Sequence, residues 1–186
     1  MGFTVPEIDK ILEPYAQKTY DKIYAKTMTL LDRYNQALGK NKLLTIIGKA
    51  LSKIVEPIVK SFADAEAISA VQNEMKQGFQ GLEYKFNTVG SSRGDYPFIT
   101  FTAGLATSRF GKMASITMFD VRRKGQGKKD KKRPVLFPKL VFLYDKEIHG
   151  EESNKGEINR DVFEAGLRCS SKTMYPKQLG LMLVTA

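Results

Sequence analysis

Apolar side chains in the first 80 residues recur every three or four positions, which is the period of an amphipathic helix. One stripe runs from Ile8 to Leu38 and is followed by Gly39, a residue type common at helix ends. A second pattern runs from Leu43 to about Gly78, and Pro57 is expected to kink or break it. The connection between the two patterns is short, so residues 1–80 are predicted to form an antiparallel helical hairpin or bundle.

The start of the first helix carries its own signal. Thr4 and Glu7 have the spacing of a capping box, and Pro6 lies where proline is tolerated in a first helical turn. The pattern therefore predicts that the chain enters a helix within its first few residues.

The pattern changes after residue 81. Runs rich in aromatic and β-branched residues predict strands, and stretches of helical spacing lie between them. The predicted strands are Leu82 to Val89, Pro97 to Ala103, Val135 to Tyr144 and Leu179 to Val184. The predicted helices are Phe110 to Arg123 and Asp161 to Met174, and the polar stretch Asp145 to Asn159 is predicted to be a loop.

Alternating strands and helices favour parallel strands joined by crossover helices. We therefore predict an α/β fold, with α+β as the alternative. The expected architecture is an N-terminal helical hairpin followed by a partial, half-barrel-like, mostly parallel sheet. Residues 1–80 would form the helical part and residues 81–186 the α/β part, packed together as one compact unit.

The length and composition suit one globular protein with a real core. The chain has 186 residues, of which 42% are hydrophobic and 27% charged. It has no apolar run long enough for a membrane span and no signal-peptide pattern, so we expect a cytoplasmic protein without membrane contact. The single cysteine excludes an internal disulfide.

The net charge of +10 is concentrated in one segment. Residues 122–133 hold eight basic side chains and one acidic side chain. A focused basic segment attracts phosphate backbones or acidic protein surfaces, although many charge runs are only solvated loops. The candidate contacts to nucleic acid or to such a partner are Arg122, Arg123, Lys124, Lys128, Lys129, Lys131, Lys132 and Arg133.

Other chemistry has weak support in the sequence. His149 is the only histidine, and loose carboxylates around it do not make a metal-ligand pattern, so we expect no metal. No Walker loop, dinucleotide fingerprint or nucleophile elbow is present, so we expect no cofactor. Ser92 and Arg93 could contact an anion or nucleotide, or could equally tie down a strand end. Cys169 is expected to be a small buried hydrophobe more often than a reactive thiolate.

Several short motifs occur in an order and spacing that resemble the barrel domain of the anaerobic, glycyl-radical ribonucleotide reductases (class III). They cover roughly residues 75–176. The motifs are Gln77 to Gly81, Asn87-Thr88, Ser92 to Gly94, Pro97-Phe98, Phe137 to Leu140 and Cys169 to Pro176. The resemblance implies two half-barrels of parallel strands, and an enzyme that reduces ribonucleoside triphosphates.

The same resemblance implies groups that have no counterpart in this chain. The family uses a radical cysteine on a loop inside the barrel, a glycyl radical near the C-terminus, and a cysteine from an earlier strand. Cys169 belongs to the motif that ends at Pro176 and is not equated with the radical cysteine. We therefore expect a truncated relative that is not an enzyme by itself.

Two main hypotheses follow. The first is a non-catalytic, reductase-derived protein whose basic segment binds nucleic acid or a nucleic-acid-handling protein such as an RNA-guided nuclease. In that form it would be a counter-defence (anti-CRISPR) inhibitor from a phage or other mobile element. The alternative is a fragment or subunit of a split anaerobic ribonucleoside-triphosphate reductase, completed by a second polypeptide. An assembly protein that dimerises through its helical hairpin is a third reading.

Overall fold

The computed structural model describes residues 2–38, 42–88, 98–128, 131–150, 159–173 and 175–180. Its strands are β1 (Gly2–Val5), β2 (Phe98–Ala103), β3 (Lys139–Tyr144) and β4 (Lys177–Gly180). Its helices are α1 (Ile8–Leu38), α2 (Lys42–Thr88), α3 (Arg109–Lys124), α4 (Lys146–His149) and α5 (Arg160–Thr173).

The four strands form one parallel sheet in the order β1-β2-β3-β4. The register pairs Val5 with Phe101, Phe101 with Leu140, and Phe142 with Gln178. Helices α1 and α2 connect β1 to β2, α3 connects β2 to β3, and α4 and α5 connect β3 to β4. The predicted α/β fold with a parallel sheet and crossover helices is thus confirmed, and the sheet is open, with β1 and β4 as its outer strands.

The core of the sheet follows from alternation along its two central strands. In β2 the side chains of Ile99, Phe101 and Ala103 are buried, and in β3 those of Leu140 and Phe142 are buried. Helices α3 and α5 cover these positions with further buried side chains. Those side chains are Met118, Phe119 and Val121 from α3, and Val162, Ala165 and Cys169 from α5.

The prediction that the chain enters a helix within its first few residues was wrong. Gly2–Val5 is a strand and does not begin a helix, because it pairs with β2 and gains a ladder of backbone hydrogen bonds there. The chain then turns at Glu7, whose φ is 45°, and the Glu7 N–H donates to Thr102 Oγ1 at 2.8 Å. The helix begins only at Ile8.

The second helix is longer than its sequence pattern indicated. Residues 82–88 are its last turns and not a strand, because Phe79, Glu83 and Phe86 follow helical spacing and lie buried or half-buried on one face. Pro57 is exposed and does not end the helix. Proline removes one backbone donor, and the long helix on either side of this position compensates for that loss.

The chain divides into two compact units, and the predicted domain division at residue 80 stays a prediction. One unit comprises Met1–Pro14 together with Glu74–Ala186, and the other is Tyr15–Asn73. The second unit is the middle of the helical hairpin, where the Tyr20 hydroxyl donates to Asp64 at 2.6 Å and the Thr27 hydroxyl donates to Glu66 at 2.8 Å. Within the described residues, no helix is both long enough and apolar enough to cross a bilayer.

Candidate functional site

The carboxyl ends of parallel strands meet at one edge of a sheet, and that edge is where open α/β folds bind their ligands. In this chain the segments that leave β1, β2 and β3 all begin there. The β2–α3 turn, residues 104–108, lies at the centre of this carboxyl edge. Gly104 has a φ of 127°, and a Cβ there would lie 2.8 Å from Leu143 O and 2.9 Å from the Phe142 ring. The close approach of the turn to β3 therefore requires glycine.

Asp9, in the first turn of α1, holds this turn from one side. Its carboxylate is fully buried, and Oδ2 accepts hydrogen bonds from Gly104 N at 2.9 Å and Ala106 N at 3.2 Å. The Ser115 hydroxyl of α3 donates to the same oxygen at 3.0 Å. One buried carboxylate thus satisfies two backbone donors of an irregular turn and ties α1, the β2–α3 turn and α3 together.

His149 and Asn159 hold the turn from the other side, and both side chains are fully buried. His149 Nε2 lies 2.9 Å from Gly104 O, and His149 Nδ1 lies 2.9 Å from Asp145 O, so the tautomer of the ring sets which of these two carbonyl oxygens accepts its hydrogen. The Asp145 N–H donates to Nδ1 at 3.0 Å. Asn159 Nδ2 donates to Gly104 O at 3.1 Å and to Ala106 O at 2.8 Å. We call Asp9, Ser115, His149 and Asn159 the carboxyl-edge cluster.

The carboxyl-edge cluster positions backbone, and its side chains are sealed from solvent. Asn159 Oδ1, although buried, has no hydrogen-bond partner among the described residues. Next to the cluster, helices α3 and α5 both begin, and Lys112 pairs with Asp161 at 3.0 Å between their first turns. The described residues contain no group of three His, Cys, Asp or Glu side chains that could hold a metal ion.

A second buried polar group lies at the opposite, amino edge of the sheet. Arg122, near the end of α3, is fully buried, and its Nε lies 2.6 Å from Glu83 Oε1 of α2. Arg122 Nη2 also donates to Pro138 O, just before β3, at 2.7 Å. This ion pair connects α2, α3 and the entry to β3. Among the described residues, Glu83 Oε2 and Arg122 Nη1 have no hydrogen-bond partner.

Burial dominates the electrostatics of this pair. It raises the pKa of Glu83 above its ordinary value of 4.5, although the positive charge of Arg122 and its hydrogen bond oppose the shift. Burial likewise raises the pKa of the Cys169 thiol, which lies in the core and contacts the Thr173 hydroxyl at 3.6 Å. A thiol in this setting is the small buried hydrophobe that the sequence favoured.

The structure describes seven of the eight predicted basic contacts and separates them into paired and exposed side chains. Arg122 is fully buried and pairs with Glu83. Its guanidinium group therefore cannot contact a phosphate or a partner. Arg123 is partly exposed and pairs with Asp120 at 3.1 Å. The exposed members are Lys124, Lys128, Lys131, Lys132 and Arg133. For these residues the binding role stays a prediction.

Three predicted site residues lie outside the described residues: Ser92, Arg93 and Lys129. The structure therefore provides no placement for the predicted anion or nucleotide contact at Ser92 and Arg93. Their role also stays a prediction.

The carboxyl-edge cluster was not predicted as a site. His149 lies in the stretch Asp145 to Asn159 that the sequence predicts to be a loop, and no sequence motif singles out Asp9. The signal available for them was topological. Asp9 and His149 lie in the first helical turns that follow β1 and β3, and Asn159 directly precedes α5. The position of Asp9 at this edge becomes visible only when the strand at Gly2–Val5 is recognised.

Comparisons with known proteins assign the family. The family model described as anaerobic ribonucleoside-triphosphate reductase matches residues 2–183. The anaerobic ribonucleoside-triphosphate reductase of Haemophilus influenzae is 34% identical over 175 residues, which cover 94% of this chain and 20% of that protein. The enzyme of Escherichia coli is 30% identical and is covered to 20%, and that of Enterobacteria phage T4 is 30% identical and is covered to 24%.

The chain thus spans about a fifth of the length of the relatives it matches, while the match takes in nearly all of its own residues. Parallel strands, crossover helices and the motifs between residues 75 and 176 agree with this similarity. This chain belongs to the anaerobic ribonucleoside-triphosphate reductase family.

Proposed function

We propose that the chain forms part of the barrel of an anaerobic ribonucleoside-triphosphate reductase, as a fragment or subunit that a second polypeptide carrying the remaining parts can complete. The observation that carries the proposal is the family match over residues 2–183 in a chain that covers 20% of its bacterial relatives. On this proposal, catalysis is shared: the chain contributes scaffold and substrate-facing backbone, and the second polypeptide contributes the radical groups.

The open sheet is suited to such a partner. Among the described strands, β1 pairs only with β2 and β4 pairs only with β3, so each presents one edge for further pairing. Unpaired strand edges invite pairing with another chain. Phe3, in β1, is also 59% exposed, which is a large apolar surface for an edge strand. A second polypeptide would extend the sheet and cover these groups.

The carboxyl edge is the part of this chain that would face substrate. In parallel sheets the ligand lies against the turns that follow the strands. Here the β2–α3 turn is held in one conformation by the carboxyl-edge cluster, with its backbone donors and acceptors fixed by Asp9 and Asn159. Rigid backbone at this edge would position a ribonucleoside triphosphate without the chain supplying a reacting group.

The test is reconstitution with the matching polypeptide. The purified chain would be mixed anaerobically with the glycyl-radical polypeptide of the same host that lacks the barrel region equivalent to residues 2–183. We expect a stable complex by light scattering after size exclusion, and deoxyribonucleotide formation only in the mixture. Asn159→Ala should lower product formation while complex formation persists, and Gln17→Ala, an exposed change on α1, should leave both unaffected.

A nucleotide titration gives a separate readout. Ligand that binds the native state at 100 times its Kd stabilises it by about 2.7 kcal/mol. The melting temperature of the complex should therefore rise with ribonucleoside triphosphate at millimolar concentration. Absence of both a complex and a nucleotide-dependent shift would overturn the proposal.

The predicted counter-defence role is not part of this proposal. The matched relatives are reductases, and their similarity covers nearly all of the chain. The basic segment nevertheless has structural features of its own, which support a separate inference.

A further inference from the structure

The end of α3 leads into a hairpin, which we call the basic hairpin and define by its described residues 124–128 and 131–134. The Gln126 N–H donates to Arg133 O at 3.0 Å, and the Arg133 N–H donates to Gln126 O at 2.8 Å. Nearer the tip, the Lys131 N–H donates to Lys128 O at 2.9 Å. A solvated run of like charges would not by itself bring the backbones of Gln126 and Arg133 together, because the charges repel one another.

Two glycines allow the hairpin to close. Gly125 has a φ of 67°, and a Cβ there would lie 2.5 Å from Arg133 O. Gly127 has a φ of 120°, and its Cβ would lie 2.8 Å from Lys131 O. Any other residue at either position would be strained and would push the two arms apart.

The base of the hairpin is anchored to α2. Asn87 Oδ1 accepts from Leu136 N at 3.3 Å and Phe137 N at 3.2 Å, and Asn87 Nδ2 donates to Phe137 O at 2.6 Å. Gln126 Nε2 donates to Gln80 O at 2.8 Å. The returning strand is therefore fixed to a helix, and the arms of the hairpin have a defined position on their compact unit.

This geometry gathers five exposed positive charges. Two of the eight cations in the segment are already compensated, since Arg122 pairs with Glu83 and Arg123 pairs with Asp120. The remaining described cations, all exposed, are Lys124, Lys128, Lys131, Lys132 and Arg133. Because the hairpin sets their spacing, less conformational entropy is lost when they meet a row of negative charges.

We infer that the basic hairpin binds nucleic acid through its backbone phosphates, as a function additional to the proposed reductase role. The composition of the hairpin decides between nucleic acid and an acidic protein. Protein interfaces depend on buried aromatic or aliphatic anchors, whereas phosphate contacts need only well-placed cations. Residues 124–134 contain Lys, Arg, Gly, Gln, Asp and Pro, and no large apolar side chain. Such a surface would bind the phosphate charges of a nucleic acid without specificity for its base sequence.

The experiment is titration of the full chain with a 20-nucleotide single-stranded DNA, its duplex, and the equivalent RNA, at several salt concentrations. If about four phosphates are neutralised on duplex DNA, affinity should fall about 100-fold between 50 and 200 mM salt. Replacing Lys124, Lys128, Lys131 and Lys132 together by alanine should abolish most of the binding. The slope of log affinity against log salt should flatten by about one unit for each phosphate that the variant no longer neutralises.

A matched variant separates position from net charge. Replacing the exposed Lys18, Lys22, Lys26 and Lys76 by alanine removes the same charge from other surfaces and should leave at least half of the affinity. Replacing the four hairpin lysines by arginine should keep binding, which controls for folding of the alanine variant. Gly127→Ala keeps every charge but opens the hairpin, so it should weaken binding several-fold.

Three results would overturn the inference. They are equal losses in the two alanine variants, no binding of any oligonucleotide at 50 mM salt, and tighter binding to polyglutamate than to DNA or RNA of equal charge. The last result would assign the hairpin to an acidic protein surface. None of these outcomes bears on the reductase proposal, since the hairpin lies at the amino edge of the sheet and the β2–α3 turn at the carboxyl edge.

Discussion

Asp9 shows how one side chain can hold an irregular turn. Its carboxylate is fully buried and accepts from Gly104 N, Ala106 N and the Ser115 hydroxyl. Alanine at this position would leave three buried donors without partners. Each such donor costs about 1–3 kcal/mol, so we expect Asp9→Ala to lower the free energy of unfolding by about 3 kcal/mol or more.

Urea denaturation measures this loss, and Asp21→Ala is the matched control. Asp21 is an exposed acid on the same helix whose contact is Gln17 Nε2 at 2.8 Å, so its removal should change the free energy of unfolding by less than about 0.5 kcal/mol. A similar small change for both variants would show that water replaces the Asp9 carboxylate without cost.

Glu83 leads to a prediction about pH. Burial raises its pKa in the folded protein above 4.5, so the folded state holds this proton to higher pH than the unfolded state does. Stability that depends on the protonated form is present below about pH 4.5 and is lost as pH rises through the folded pKa. Glu83→Gln cannot titrate and removes this dependence.

Denaturant unfolding of both proteins from about pH 4 to about pH 8 tests the sign. The free energy of unfolding of the natural chain should fall relative to that of Glu83→Gln as pH rises above 4.5. If the free energy of unfolding of the natural chain instead rises relative to that of Glu83→Gln as the pH rises, attraction to Arg122 outweighs burial and the pKa of Glu83 is lowered.

Single residues were also the least predictable from sequence. Arg122 and Arg123 are neighbours in one basic run, yet Arg122 is fully buried and Arg123 is partly exposed. Their difference comes from the face of α3 on which each lies and from the position of Glu83 on α2. Neither can be known before the helices are placed, so charge in sequence predicts a basic surface but not its members.

At the level of elements, replacing a glycine by alanine should have opposite effects on stability in a tight turn and in a regular helix. Gly104→Ala would force a Cβ to 2.8 Å from Leu143 O at a φ of 127° and should destabilise the protein by about 2 kcal/mol or more. Gly78→Ala places a Cβ in open space within α2 and should stabilise it by about 0.5–1 kcal/mol. Melting temperatures of the two variants should move in opposite directions, and a downward shift of both would contradict the assignment of Gly78 to a regular helix.

The accuracy of the sequence predictions also varied by element. The helices at Arg109–Lys124 and Arg160–Thr173 differ from their predicted bounds by one residue at each end, because long amphipathic spacing is a strong signal. The strand at Gly2–Val5 was missed, and Leu82 to Val89 was mistaken for a strand. Runs this short have no distinctive hydrophobic period. Gly2–Val5 is a strand because it pairs with β2, and residues 82–88 are helical because they continue the buried face of α2.

For the whole molecule, the parallel topology followed from the order of elements, whereas the carboxyl-edge cluster did not. Asp9 is 95 residues from Gly104 in sequence, and the two meet only because β1 pairs with β2 across the entire hairpin. A local pattern contains no information about such a contact. This long connection also contains the unit Tyr15–Asn73, whose buried side chains differ in size from those of the sheet unit.

The two compact units should differ in local stability because they bury different side chains. Among the described side chains of Tyr15–Asn73, the buried ones are mostly small, such as Ala16, Ala63 and Ala67. The sheet unit buries large ones, including Phe119 and Phe142. Hydrophobic stabilisation scales with the apolar area removed from water, so openings within the hairpin should cost less free energy than openings within the sheet unit.

Native-state hydrogen exchange followed by mass spectrometry tests this difference between regular helices of the two units. Peptides from the middle of α1 and from residues 63–71 of α2 should exchange at least about ten-fold faster than peptides from α3, which corresponds to about 1.4 kcal/mol in opening free energy. Comparing helix with helix avoids any difference between helical and strand amides. Equal protection would mean that both units open in one cooperative step, and that the small side chains of the hairpin stabilise it as well as the aromatic core stabilises the sheet.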